Sequence, residues 1–400
     1  MTEQAAAQGR EGDAERTAAR AHLIALQRRV WPLTRTPREL QALDSAEIAA
    51  SMRKLYAGAN YSRADQRQAV TDDLETFLDR LGGSELGYEL AGTDEIVERL
   101  SRRIDDALES FGLSETARPV LGTARTGQVS ARSFAVPGCA VPVVLIDVDL
   151  LCWIHILTSN LVELLPRDGV NADYTTFSTD TDSIERQLRS HPDVAARVTI
   201  AAMTYAIGGD PAVTMLSPAV DTEPLASILR DAVELFVVAH EVSHSLCGHL
   251  TGPGVDLEFD FIRDQELQAD AKGLELSIRA LQLTAMPVPI AVLGGELFFV
   301  LLELVEHIVR LVASDDPDPH TVMAMPISDT ESHPSPQSRR AILRDVTRRS
   351  APSLAADLER VYATTDALLA ALVLGAAATV STIRTMNADD ARRHSREVWS

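Results

Sequence analysis

The chain has 400 residues, of which 58 are acidic and 37 are lysine or arginine, and its formal net charge at pH 7 is −21. This acidity argues against nucleic acid and anionic membrane surfaces as partners, because both carry negative charge. The three cysteines are odd in number and sparse, and they do not indicate a disulfide framework. The length suffices for two or three folding units with a sizeable core.

The first 115 residues are predicted to be mainly helical. Apolar positions recur with a helical period within residues 16–29, 72–81 and 94–108. The polar residues 1–10 lack the apolar segment of a secretory signal, which favours a cytoplasmic location. Residues 1–115 contain no catalytic motif that we recognise. We therefore expect a helical cap that packs on the rest of the protein, with docking of a partner or substrate as the alternative.

A small β-sheet is predicted between residues 116 and 150, where β-branched residues and turn signals are frequent. The candidate strand within it consists of Val143, Val144, Leu145 and Ile146. Further on, the polar residues 166–190 follow neither a helical nor a strand period. That stretch is predicted to be a loop or lid.

The most informative motif is His240-Glu241-Val-Ser-His244, which lies within the apolar segment 233–246. On a helix the two histidines are one turn apart and project from the same face. Two imidazoles placed in this way can hold one zinc ion, and Glu241 can then act as general base on a metal-bound water. The apolar neighbours predict a buried helix, in which polar side chains need a partner such as a metal ion.

Two residues in the next segment complete a zinc site. Catalytic zinc needs three protein ligands and one open position, and Glu266 is a suitable third ligand. Asp270 lies one helical turn further on and can accept the outer N–H of a ligand histidine. The turn signal of residues 251–254 separates this segment from the first. The sequence therefore predicts two helices, joined by a turn region, with the metal between them.

A third segment begins another predicted helix. Ser335 has the character of an N-cap and Pro336 that of a first-turn proline. His333 would stand just before this helix, where it could donate a hydrogen bond to an oxyanion. Arg339 could lie close to His333. An ordinary loop followed by a helix cap is the alternative interpretation of this segment.

Two apolar segments are long enough to require comparison with a membrane span. Residues 287–312 carry charged residues at near-helical spacing, which favours a soluble core helix. Residues 367–383 carry no charge but are about one turn shorter than a typical span. We expect both segments to pack on the core, with a membrane anchor at 367–383 as the alternative.

Together, the three polar segments resemble the gluzincin metallopeptidases. The resemblance is greatest to the branch that contains the CAAX prenyl proteases, the heat-shock membrane protease HtpX and the mitochondrial Oma-type proteases. That branch has the patterns H-E-x-x-H-x-x-x-x-H, E-x-E-A-D and H-P-P-x-x-x-R, and His249 matches the last histidine of the first pattern. A metzincin would instead require a histidine at the position of Leu250.

The chain departs from this family pattern at three positions. Gly248 stands where a basic residue is usual, Gln268 replaces the inner glutamate of the second pattern, and Ser335 replaces the second proline of the third. The membrane-spanning helices of many relatives have no evident counterpart in this sequence.

The resemblance implies an α+β, predominantly helical fold with a zincin-like core and a small sheet. It suggests a helical region at residues 1–115, a zincin-like metallopeptidase domain at 116–350 and a C-terminal helical segment at 351–400. In gluzincins an edge strand beside the zinc helix pairs with the substrate, and Val143–Ile146 is the candidate, with a plain core strand as the equal alternative. His249 is expected either to support a ligand residue without binding the metal itself or to be an ordinary histidine at the helix end.

We therefore expect a cytoplasmic zinc metalloendopeptidase that binds one Zn²⁺ and cleaves peptide or protein substrates. Three residues would hold the ion, namely His240, His244 and Glu266. Glu241 would be the general base and His333 would share the oxyanion charge, while Asp270 would orient a ligand histidine and Arg339 would position the substrate or His333. Neither nucleic acid nor a membrane is expected as a partner. The alternatives are a zinc hydrolase or cyclase acting on a non-peptide amide, and a regulatory binding protein that retains a zinc site.

Overall fold

The computed structural model describes residues 2–30, 93–113, 118–124, 129–165, 167–171, 174–177, 180–206, 223–250, 259–314, 318–329 and 334–385. The predicted helix at 72–81, the turn at 251–254 and His333 lie outside the described residues.

The described chain is mostly helical with a small mixed sheet, which confirms the predicted α+β, predominantly helical class. The helices are α1 Thr2–Val30, α2 Thr93–Ser110, α3 Val148–Leu164, α4 Thr181–Ser190, α5 Pro192–Ala206, α6 Glu223–Leu246, α7 Phe259–Leu283, α8 Val288–Ala313, α9 Pro319–Ala324, α10 Pro336–Ser350 and α11 Ala355–Thr385. The strands are β1 Val120–Ala124, β2 Ala131–Phe134, β3 Val143–Asp147, β4 Arg167–Asn171 and β5 Tyr174–Phe177. A short 3-10 helix, Pro352–Leu354, precedes α11.

The three-stranded sheet has the order β1-β3-β2, so β3 is its central strand. It pairs in parallel with β1 and antiparallel with β2. The prediction that Val143, Val144, Leu145 and Ile146 form an edge strand is therefore wrong, because both sides of β3 are already paired. Every residue of β3 is buried, as expected for a continuous apolar run covered on both faces. Within the described sheet, β2 is the edge strand that contacts α6.

Residues 166–190, predicted to be a loop or lid, contain regular structure instead. β4 and β5 form an antiparallel hairpin, and α4 follows it. The Asp180 side chain caps α4 by accepting a hydrogen bond from the backbone N–H of Ser183. Only Ile184 and Leu188 of α4 belong to the main apolar core, and a two-residue stripe is too short to establish a helical period.

A single apolar cluster joins most of the remaining helices. Trp153 of α3, Val233 of α6, Leu301 of α8 and Leu372 of α11 all belong to it and are almost fully buried. The C-terminal helix α11 is therefore packed into the same core as α6, the helix that carries the His-Glu motif.

Two helices are long and apolar enough to cross a membrane by length and composition alone. They lie at Val288–Ala313 and Pro352–Thr382, and 72% and 67% of their apolar windows are buried within the protein. Helices of this kind occur in the cores of soluble proteins as well as in membranes. Both helices pack against other parts of the described protein, and that neither contacts a membrane stays a prediction.

Helix α2 packs against α6 and α7. Its residues Ile104 and Leu108 lie one turn apart and pack in one buried cluster with Leu235 of α6. At the rim of this contact, Arg99 Nη2 donates to Glu234 Oε2 over 2.7 Å. The amphipathic pattern predicted for residues 94–108 is thus the face that packs against both α6 and α7.

Candidate metal centre

The last turns of α6 carry the histidine pair. His240 and His244 lie one turn apart, and their Nε2 atoms are 3.2 Å from each other. The residues between and before them, Val238, Ala239 and Val242, are buried in the cluster shared with α2. The helix is therefore fixed on its apolar side, and the two imidazoles project together from the opposite side.

The end of α6 places His249 beside this pair. Gly248 has a φ of +75°, and its N–H donates to the Ser245 carbonyl, while the His249 N–H donates to the His244 carbonyl over 2.8 Å. This is a Schellman motif, which requires a left-handed residue at the position of Gly248. The resulting turn brings His249 Nδ1 to 3.1 Å from His244 Nδ1. The departure from the family pattern at Gly248 thus has a structural reason. His249 is both a residue at the helix end and a neighbour of His244.

Helix α7 supplies the carboxylates. Glu266 lies with Oε2 3.5 Å from His240 Nε2 and with Oε1 3.5 Å from His244 Nε2. Asp270, one turn later, lies on the outer side of His240 and accepts a hydrogen bond from Nδ1 over 2.9 Å. This places the Nδ1 proton toward Asp270, so that the neutral form of the imidazole presents the lone pair of Nε2 to Glu266 and His244.

The two helices approach closely because α7 has a glycine at the crossing. A Cβ atom on Gly273 would lie 2.7 Å from the Cα and 2.8 Å from the N of His240. Gly273 follows Glu266 and Asp270 at helical spacing, so all three face α6. Sequence analysis did not identify Gly273; the available signal was a glycine inside a helix, on the face that carries the two carboxylates.

The Gly273→Ala variant should bind metal more weakly than the wild type. The added methyl group would meet backbone atoms that cannot rotate away, so α7 must shift and carry Glu266 and Asp270 with it. Overpacking of this kind costs about 1–3 kcal/mol of stability. Metal titration and denaturant unfolding would measure both effects. Gly295→Ala is the matched control, because its Cβ would meet the side chain of Phe236 at 3.2 Å and not the backbone. Equal metal affinity for Gly273→Ala and the wild type would contradict the prediction.

Arg339 of α10 is placed behind the ligands. Its Nε and Nη2 donate to the two carboxylate oxygens of Asp270 over 2.7 and 2.6 Å, and Nη2 is 3.3 Å from Glu266 Oε2. Its guanidinium lies over the ring of Phe299, 4.6 Å from the centroid. Arg339 is buried, so these contacts favour a role in holding Asp270 and Glu266 over the predicted positioning of the substrate. The alternative, that Arg339 positions His333, stays a prediction because His333 lies outside the described residues.

A second group of charges anchors α10. Arg340, also buried, donates to Glu303 over 2.7 Å and to Glu296 over 3.3 Å, both on α8. Its Nη2 also donates to Asp366 of α11 over 2.5 Å. Because Arg340 is adjacent to Arg339, these ion pairs fix the position from which Arg339 reaches the centre.

The two histidines of the pair differ in pKa. Burial opposes a charge on His240, but its hydrogen bonds to Asp270 and Glu266 outweigh this and raise the pKa of the imidazole to about 9. Burial, together with the charge of His240, lowers the pKa of His244 to about 4. Burial also opposes the charge of Asp270, yet Arg339 and His240 hold the pKa of that carboxyl below its usual range. In the metal-free protein, the imidazole of His240 is therefore protonated on both nitrogens below about pH 9.

Metal binding should release one of these two protons. A metal ligand must be a neutral imidazole, so a cation has to displace the proton that His240 retains below pH 9. The apparent affinity should therefore rise about tenfold per pH unit from pH 7 to about pH 9 and level off above it. Calorimetric titration in two buffers of different ionisation enthalpy, with a competing chelator, would count the proton. An affinity that does not change between pH 7 and 9 would contradict this assignment.

The general-base candidate, Glu241, lies next to His240 and is half-buried. Burial raises the pKa of its carboxyl to about 7. The hydroxyl of Ser133 on β2 lies 2.9 Å from Glu241 Oε2. Sequence analysis did not identify Ser133, which is 108 residues away in the chain.

Together, the atoms of His240, His244 and Glu266 that can bind a cation lie within 4.8 Å of one another, so this buried group could hold a metal ion. The other predicted residues divide into two sets. Glu241, Asp270, Arg339 and His249 lie beside this group, while β3 is the central strand of the sheet and His333 is outside the described residues. Comparison of the chain with protein-family models, with curated proteins and with solved structures gave no significant match.

Proposed function

We propose that the protein is a zinc-dependent metallopeptidase, as the resemblance of its three motifs implies. The observation that carries the proposal is the spacing of the donor atoms. Four ligands around zinc at about 2.0–2.1 Å lie about 3.3–3.4 Å apart at the corners of a tetrahedron. The two Nε2 atoms of His240 and His244 are 3.2 Å apart, which is close to this value. Each of them also lies 3.5 Å from Glu266, but from a different oxygen of that carboxylate, and one donor atom from each of the three residues lies within 4.8 Å of the others.

The chemistry of the donors also fits zinc. Two imidazole nitrogens and one carboxylate form a ligand set that catalytic zinc sites use, with the fourth position open. When bound, zinc supplies a Lewis acid and lowers the pKa of a coordinated water. The Asp270 carboxylate holds His240 in the tautomer that this requires, and Arg339 holds Asp270 in turn.

Glu241 is the residue that we propose to move the proton. A general base works best when its pKa lies near the working pH, and burial raises the pKa of Glu241 to about 7. Its carboxylate would take a proton from the attacking water and deliver that proton to the nitrogen of the leaving amine. We retain His333 as the proposed hydrogen-bond donor to the oxyanion, because it precedes the helix that carries Arg339.

The substrate strand is reassigned by the sheet order. Because β3 is central, we propose that an extended peptide pairs with the edge of β2 that faces away from β3 in the described sheet. This strand contacts α6, and its Ser133 reaches the Glu241 carboxylate. A peptide on that edge would therefore lie near the proposed base.

Removal of the metal should abolish peptide cleavage, and zinc should restore it. The purified protein would be analysed for metal content and incubated with a library of proteome-derived peptides, before and after chelation and zinc addition. We expect one ion per chain and cleavage that follows the zinc content. Cleavage that persists after complete removal of metal would overturn the proposal. A zinc-loaded protein that leaves the library uncut but hydrolyses small amides would favour the non-peptide alternative.

A further inference from the structure

The hydroxyl of Ser133 is directed at the proposed general base. Its Oγ lies within hydrogen-bonding distance of two oxygens of Glu241, the backbone carbonyl and the carboxylate Oε2. A hydroxyl carries one proton and donates to one acceptor at a time. The contact spans 108 residues of sequence and joins the sheet to the catalytic end of α6.

The sheet holds this hydroxyl in a defined position. Alternation along β2 puts Ala131 and Ser133 on one face and Phe134 on the other. Ala131 packs against the clusters that contain α6, and Phe134 packs against the cluster under α1. The backbone of Ser133 is paired with Val144 of the central strand. The sheet therefore fixes the backbone that carries the Ser133 hydroxyl, and the more flexible member of the pair is the longer glutamate side chain.

The geometry leaves one carboxylate oxygen for the chemistry. The Ser133 hydroxyl lies close to the Glu241 backbone carbonyl and 2.9 Å from Oε2, and among the described residues no hydrogen bond engages Oε1 of Glu241. A general base must be aimed at the proton that it takes, since a misplacement of about 1 Å can cost about 100-fold in rate. When the hydroxyl donates to Oε2, it fixes the direction in which Oε1 points.

We infer that Ser133 is a positioning residue that orients the Glu241 carboxylate toward the metal centre. The expected effect of Ser133 on turnover rests on the proposed function. Its expected effect on the direction of the Glu241 carboxylate does not. The Ser133 proton stays on Oγ throughout, while the water proton moves to Oε1. Loss of the hydroxyl should therefore lower kcat and leave substrate binding and metal content unchanged.

The test compares two variants of nearly the same shape. Ser133→Thr keeps the hydroxyl, whereas Ser133→Val replaces it with a methyl group, so any effect of the larger side chain is common to both. We expect kcat of Ser133→Val to be about 10- to 100-fold below that of Ser133→Thr, with equal KM and zinc content. Ser133→Ala provides a further comparison without added bulk, and Ser130→Ala is the control for removal of a neighbouring hydroxyl. Equal kcat for the Thr and Val variants, or a difference confined to KM, would overturn the inference.

Crystal structures of the zinc-loaded wild type and Ser133→Ala give a readout that does not depend on activity. We expect the Glu241 carboxylate to leave its wild-type position in the variant. An unchanged carboxylate would overturn the inference even if the protein is a peptidase. If the wild type cleaves no peptide, the proposed function fails, and these two structures alone decide whether Ser133 positions Glu241.

Discussion

Replacement of Glu241 by glutamine should lower kcat/KM for peptide cleavage by about 10²- to 10⁴-fold and leave the metal bound. The amide has the shape of the carboxylate and keeps an oxygen that can accept the Ser133 hydrogen bond. It cannot take a proton from water at neutral pH. The three donor atoms that could hold the cation belong to other residues, so their spacing should persist. Peptide hydrolysis and elemental analysis of the same preparation would measure both quantities.

A matched control for this change is Glu275→Gln. Glu275 lies on α7 with an exposed side chain that pairs with Lys272, so the same substitution there should leave turnover unchanged. If Glu241→Gln cleaves at the wild-type rate, another group is the base. Loss of the metal from Glu241→Gln would instead mean that this glutamate holds the centre together. In the native cell, protein N-termini that appear with the wild type but not with this variant would identify the substrates.

The parts of the centre that sequence analysis predicted are local. His240 and His244 are one helical turn apart, as are Glu266 and Asp270, and the helical repeat alone puts each pair on one face. Because Asp270 lies on the same face as Glu266, its carboxylate was expected near the histidines that bind the metal with Glu266. The hydrogen bond that Asp270 accepts from His240 agrees with that expectation.

The features that sequence analysis missed depend on distant parts of the chain. The apolar run of β3 indicates a buried strand, but it does not show which strands pair with it on either side. The contact between Ser133 and Glu241 requires the position of β2 relative to α6, and the closeness of Gly273 to His240 requires the crossing of two helices. None of these relations leaves a periodic signal in the sequence.

Replacement of Asp270 by alanine should destabilise the metal-free protein by about 3–5 kcal/mol, because Arg339 would keep a buried charge without its main partner. Arg339 makes two hydrogen bonds to Asp270 and is only 7% exposed. The same change removes the acceptor for His240 Nδ1 and should lower metal affinity about 10- to 100-fold. Denaturant unfolding of the metal-free protein and competitive metal titration would measure the two effects separately.

A double-mutant cycle separates the ion pair from the orientation of the ligand. In Asp270→Ala/Arg339→Met both charges are absent, so the double variant should be less destabilised than the sum of the single variants, because no uncompensated charge remains. Its metal affinity should stay low, since His240 still lacks its acceptor. Glu359→Ala, which breaks an exposed ion pair with Arg348, should leave stability close to that of the wild type. If the two single changes had additive effects on stability, Asp270 and Arg339 would act independently. If Asp270→Ala bound metal with wild-type affinity, this carboxylate would not support His240.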